Sequence, residues 1–191
     1  MNPRRPMVAV IGDGQLDPGS PLLRDAEAIG RLLVEAGCRV VTGGLGGVME
    51  AACRGAHQAQ GYQAGDVIGI LPGHDSADAN DYVDIAVPTG LGHVRNSIVA
   101  HADAIVAMGG GAGTLSEMAL AWIFGRPIVA LRRAGWSGRL ADQRLDERIR
   151  YAEIPDDRVY GADSPQEAVA TVTRLLPLYQ RAGAWIAREQ S

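Results

Sequence analysis

The chain has 191 residues, 47% of them hydrophobic and 21% charged, with a formal net charge of −4 and a pI of about 5.5. That length supports one domain, residues 1–191, with a buried core, and the acidic balance argues against a nucleic-acid partner. All 18 basic side chains are Arg, which excludes a lysine Schiff base and the Gly-Lys-Ser/Thr ending of a Walker loop.

The start, Met1-Asn2-Pro3-Arg4-Arg5-Pro6, lacks the apolar core and cleavage site of a signal peptide. No apolar run approaches the roughly 20 residues of a membrane span. Cys38 and Cys53 form neither a metal spacing nor a disulfide framework and read as core residues. The expectation is a cytoplasmic protein with no membrane partner.

Along the chain, apolar runs alternate with helix-length segments. Met7 to Ile11 reads as a strand, ended by Gly12. Ser20 to Ala36 has Leu23, Ala26, Ile29, Leu32, Leu33 and Ala36 at helical spacing, with Gly37 as the stop. Cys38 to Thr42 predicts a strand, Gly43-Gly44-Leu45-Gly46-Gly47 a loop, and Val48 to Gln60 a helix. Strands follow at Val67 to Leu71 and Tyr82 to Val87, separated by a polar loop. Val94 to Ala102 predicts a helix, Ala104 to Met108 a strand, Leu115 to Phe124 a helix, and Ile128 to Leu131 a strand. Val159-Tyr160 reads as a last short strand. Ser164-Pro165-Gln166-Glu167 opens a final helix with a capping box and Pro at its first position.

The strands are almost continuously apolar rather than alternating. That pattern predicts an α/β fold, a single doubly wound, Rossmann-like parallel sheet with helices on both faces. Ligands bind such sheets outside the carboxyl ends of the strands, where the glycine clusters of this chain fall.

The most specific stretch is Gly109-Gly110-Gly111-Ala112-Gly113-Thr114-Leu115-Ser116-Glu117, a strand end, a glycine loop and a helix start in one segment. Amides exposed at a helix N-terminus attract anions, and glycines let a phosphate approach them. Two readings compete here. In one, the amides of Gly110 to Thr114 hold a phosphate; in the other, Thr114 and Glu117 form a T-x-x-E capping box and the turn is structural. Gly43, Gly44, Gly46 and Gly47 form a second loop of the same kind. Gly12-Asp13-Gly14 begins like a dinucleotide fingerprint, but Asp17 stands where its third glycine belongs, so Gly12 and Asp13 are expected only to line a nucleotide pocket. Arg95, beside Asn96, has the planar fork of donors that suits a phosphate or ribose hydroxyl. His57, His74, His93 and His101 are not at metal-ligand spacing, and no metal site is expected.

Four segments make the chain resemble the LOG family of cytokinin-activating nucleotide phosphoribohydrolases, formerly labelled lysine decarboxylases. They are Gly43 to Ala52, Ile70-Leu71-Pro72-Gly73, Pro88-Thr89-Gly90 through Arg95-Asn96, and Gly109 to Glu117. Within that family the chain is most similar to the branch related to molybdenum cofactor carrier proteins. The family motif P-G-G-x-G-T-x-x-E falls on Gly109 to Glu117, with Gly109 in place of the proline, and Asn96 stands where the enzymes usually carry Lys. The resemblance implies Arg95 and Glu117 as catalytic residues, and Pro88, Thr89, Arg95 and Asn96 together with the glycine loops as ligand-binding ones. It implies a homodimer or higher homo-oligomer that needs no cofactor, with an AMP-like nucleotide, phosphate or molybdenum cofactor as the bound molecule. The leading expectation is hydrolysis of the N-glycosidic bond of a nucleoside 5′-monophosphate to base and ribose 5-phosphate. Glu117 would stabilise positive charge on the sugar or activate water, and Arg95 would orient the phosphate. The alternative is a non-catalytic carrier or sensor of molybdenum cofactor or a nucleotide.

Overall fold

The computed structural model describes residues 4–183. Seven strands form one sheet: β1 (Met7–Gly12), β2 (Arg39–Thr42), β3 (Val67–Leu71), β4 (Ile85–Pro88), β5 (Ala104–Met108), β6 (Ile128–Leu131) and β7 (Val159–Ala162). Their order is β4-β3-β2-β1-β5-β6-β7, and every pairing is parallel. The chain lays strands outward from β1 on one side, then returns to place β5 against β1 on the other. The sheet is therefore doubly wound, with its reversal between β1 and β5.

Six helices cover it: α1 (Pro21–Glu35), α2 (Val48–His57), α3 (Asn96–Val99), α4 (Ala112–Ile123), α5 (Trp136–Leu140) and α6 (Pro165–Gly183). The continuous apolar strands reflect burial on both faces. Val8 and Val10 join the core under α1, α2 and α6, whereas their neighbours Ala9 and Ile11 join the core under α3 and α4. Helix ends follow local chemistry. Ser20 Oγ accepts from Leu22 N–H at 3.3 Å to open α1. Ser164 Oγ accepts from Glu167 N–H at 3.2 Å, while Glu167 reaches back to Asp163 N–H at 2.7 Å.

Several elements differ from the pattern expected, two of them between β3 and β5. The strand read from Tyr82 starts at Ile85, because residues 80–84 form a turn. Asp84 spends its carboxylate there on the N–H groups of Gly65 and Val67, at 3.0 and 2.9 Å. The helix read from Val94 to Ala102 is a 3-10 turn, Gly92–Arg95, followed by the single turn α3. His101 and Ala102 close it with three-residue bonds to Ile98 and Val99, which tighten and end it.

Candidate functional site at the sheet reversal

Strands β1 and β5 end side by side, Gly12 opposite Met108. The chain then leaves β1 toward α1 on one face and β5 toward α4 on the other, which opens a crevice between the two loops. Asp13 ties the crevice together. Its carbonyl accepts from Val48 N–H at 2.9 Å, and its Oδ2 accepts from Gly110 N–H at 2.8 Å. One residue thus joins the loops after β1, β2 and β5.

The glycine turn after β5 is held from the other side by the first turn of α5. Ser137 Oγ accepts from Gly109 N–H at 2.7 Å, and the carbonyls of Gly109 and Gly110 accept from the N–H groups of Ser137 and Trp136. Gly109 has φ +62°, and a Cβ on it would stand 2.4 Å from Asp13 Oδ2. A left-handed backbone so close to a carboxylate accepts only glycine, and proline, with φ near −65°, cannot adopt it. This explains in physical terms why Gly109 stands in the motif where a proline is usual.

Because Gly109 and Gly110 have committed their amides, the open donors begin at Gly111. Helix α4 starts at Ala112, three residues before the Leu115 start expected, with Gly111 as its N-cap and no side-chain cap. The first intrahelical bond is Leu115 N–H to Gly111 O at 3.0 Å, so the amides of Gly111, Ala112, Gly113 and Thr114 precede the helical ladder. The capping-box reading of Thr114 and Glu117 is overturned: both lie inside the helix, and Glu117 faces Arg95 instead.

Arg95, at the end of the 3-10 turn, and Glu117 on α4 are each 7% exposed. Arg95 Nη1 donates to Glu117 Oε1 at 3.0 Å and to Asn96 Oδ1 at 2.8 Å. Burial pushes the Glu117 carboxylic acid up to about 7, against the opposing pull of the Arg95 guanidinium. Arg95 Nε is buried with no partner among the described residues. Gly43 supplies the bed for this guanidinium, since a Cβ there would lie 2.4 Å from Arg95 Nη2. Asn96 is turned inward, 4% exposed, with Nδ2 donating to Ser116 Oγ at 2.8 Å, and Ser116 Oγ donating to Gly113 O at 2.7 Å. It braces the first turn of α4 and puts no second cation where the enzymes usually carry Lys.

A cleft of about 240 Å³ opens here. Of the residues singled out in the sequence, Gly12, Asp13, Arg95, Asn96, Gly111, Gly113, Thr114 and Glu117 line it. The others lie behind or beside it. Gly44 packs on Leu71, and Gly46 and Gly47 pack on the carbonyls of Gly14 and Asp13. Pro88 ends β4, and Thr89 directs both N–H and Oγ1 to Leu71 O. Sequence reasoning missed Ile11, Gly14, Leu45, Met49 and His93, which complete the lining. Gly14 carried a signal as the second glycine of the fingerprint-like Gly12-Asp13-Gly14, and Leu45 and Met49 as the apolar residues within and just after the second glycine loop. A larger hollow of about 520 Å³ beside β6 is lined by Arg132, Arg133 and Arg139. Asp142 and Asp163 pair with Arg132 and Asp25 pairs with Arg133, so two of its three cations are already offset within the protein. No cluster of metal-ligating side chains is present among the described residues. No described helix is long and apolar enough to cross a membrane.

Comparison with known proteins agrees with this architecture and with the resemblance read from the motifs. The model of the SLOG cluster4 family matches residues 5–169. An uncharacterized protein of Archaeoglobus fulgidus is 40% identical over 126 residues, 65% of this chain and 79% of that protein. The molybdenum cofactor binding protein of the phototrophic bacterium Rippkaea orientalis is 34% identical with a TM-score of 0.72, over 91% of this chain and 98% of its own. The molybdenum cofactor carrier protein of Chlamydomonas reinhardtii is 32% identical with a TM-score of 0.73, over 91% and 99%.

Proposed function

Because the chain belongs to the SLOG cluster4 family, we propose that the cleft at the sheet reversal binds a phosphorylated small molecule and that the protein carries it without cleaving it. The best candidate cargo is molybdenum cofactor, the molecule that the Rippkaea and Chlamydomonas proteins are named for. One observation carries the reading: the Arg95 guanidinium and the uncapped start of α4 line the same cleft. A cationic fork of donors beside free helix-start amides favours an anion. The phosphate would rest on the amides from Gly111 to Thr114. The apolar side chains of Ile11, Leu45 and Met49 would face the ring system.

A second reading is the phosphoribohydrolase. It is favoured by Glu117, whose acid sits near neutrality beside Arg95 as a general acid or base would. Against it stand the inward Asn96 and the glycine-only turn at 109.

Native mass spectrometry and metal analysis of protein purified from a host that makes molybdenum cofactor discriminate the two. A co-purifying phosphorylated pterin, with no base released from AMP or GMP, is expected. Base release that disappears in Glu117→Ala would replace the carrier by the hydrolase, and failure to hold any phosphorylated molecule would overturn both.

The reading includes a homodimer or higher oligomer in the cytoplasm. In support, five of the seven exposed large hydrophobics among the described residues are Ile85, Val87, Leu91, Val94 and Ile98. They fall on the edge strand and on the segment that carries Arg95. Cys38 and Cys53 are buried free thiols, which suits a reducing compartment.

A further inference from the structure

The cleft holds one permanent cation and two carboxyl groups. Arg95 is the cation, Glu117 faces it at 3.0 Å, and Asp13 stands beside the glycine turn with Oδ2 tied to Gly110 N–H. His93, from the 3-10 turn, is the remaining titratable group on the lining. The β1 side contributes Ile11, and the second glycine loop and α2 contribute Leu45 and Met49. No other charged or titratable side chain lines the cleft among the described residues. Arg95 therefore offsets one of the two acids and leaves the other uncompensated before any ligand arrives.

A phosphate monoester in its dianionic form adds two further negative charges to a space of about 240 Å³. Repulsion between like charges is weakly screened around a side chain as buried as Glu117. The two acids differ in how readily they can relieve it. Asp13 is committed through Oδ2 to Gly110 N–H and holds the loop after β5. Glu117 has a single guanidinium partner and can give that partner up to the incoming anion.

We propose that a phosphate monoester enters this cleft together with one proton, which the Glu117 carboxyl group takes from solvent. The proposal rests on the reading of the cleft as a phosphate site. The balance is simple: carboxylate, proton and dianion go in, and a neutral carboxylic acid beside a bound dianion results. No bond to carbon or phosphorus changes. Protonation turns Glu117 from an acceptor into a donor and releases Arg95 Nη1 toward the phosphate. Burial already holds this acid near neutrality, so the change requires only a modest further push. Binding and protonation are then reciprocally linked.

The test is isothermal titration of the full chain with AMP between pH 7.5 and 9, in pairs of buffers with different ionisation enthalpies. AMP carries a fully dianionic phosphate over this range, so the proton count belongs to the protein. Wild type should take up a proton on binding AMP, and its dissociation constant should weaken, by at most tenfold per pH unit, as pH rises. Glu117→Gln should bind with no proton uptake and no such slope. A flat dissociation constant and no uptake in the wild type would overturn the proposal and leave the phosphate site standing. Equal uptake in wild type and Glu117→Gln would overturn it in the same way. No AMP binding by the wild type at any pH would overturn this proposal, and the phosphate site falls with it if inorganic phosphate also fails to bind.

Discussion

The turn at Gly109 offers the sharpest perturbation. Replacing Gly109 by Ala places a side chain on a backbone at φ +62°, a left-handed conformation that costs a non-glycine residue about 1 kcal/mol. The new Cβ would also stand 2.4 Å from Asp13 Oδ2, so the carboxylate must move and its 2.8 Å bond from Gly110 N–H is lost. A hydrogen bond to a charged group contributes about 2 kcal/mol. Together these predict a loss of about 3 kcal/mol for Gly109→Ala. Gly109→Pro should cost more, because the ring excludes a positive φ and removes the N–H that Ser137 Oγ accepts. Urea unfolding followed by far-ultraviolet circular dichroism measures both, with the slope checked for an unchanged denatured state. If Gly109→Pro, which restores the usual family residue, unfolds within about 1 kcal/mol of wild type, the left-handed turn and its clamp are wrong.

Four further outcomes follow from the site. Glu117 retains in the folded chain a proton that the unfolded chain releases at an ordinary 4.5, so its contribution falls as pH rises from 4.5 through about 7. Glu117→Gln should therefore be more stable than wild type at pH 8, by up to about 3 kcal/mol, with the gap closing toward pH 4.5 in parallel thermal melts. Should the assay with AMP reveal hydrolysis, Glu117→Ala must lower the rate by about 10²-fold or more, and an unchanged rate removes its catalytic role. Asn96→Ala should loosen the first turn of α4, seen as faster hydrogen exchange at Leu115 and Ser116, without changing unfolding of the sheet. Light scattering after size-exclusion chromatography should give a dimer or larger, and Val94→Asp should shift it toward monomer; a wild-type monomer would refute self-association.

The sheet was legible because its strands are short apolar runs, most of them bounded by glycine or proline. Val67–Leu71, Ala104–Met108 and Ile128–Leu131 have the bounds read from the pattern. The segment between Leu131 and Val159 was not legible, because side-chain pairs rather than periodicity order it. Arg150, for example, pairs with Asp157 at 2.6 Å and lies 3.6 Å over the Trp122 ring. The start of α4 was misjudged because the glycines on both sides of Ala112 read as loop, while the clamp on Gly109 and Gly110 lets the helix begin earlier. That shift of three residues moved Glu117 from a cap to the cleft. Arg95 and Asn96 were visible as a pair, but only the fold separates their tasks, one facing Glu117 and the other bracing α4. Ile11 and His93 gave no signal, since which way they face depends on elements distant in sequence.

The clamp on the glycine turn bears on how a visitor is received. Asp13 and Ser137 hold the rim from opposite flanks before anything arrives, so little ordering entropy remains to be spent on capture. Association should then run at a rate set by diffusion and charge, and differences among guests should show in how long each one stays. On the carrier reading that arrangement is an advantage, because residence time can be tuned at the mouth while the berth itself stays rigid.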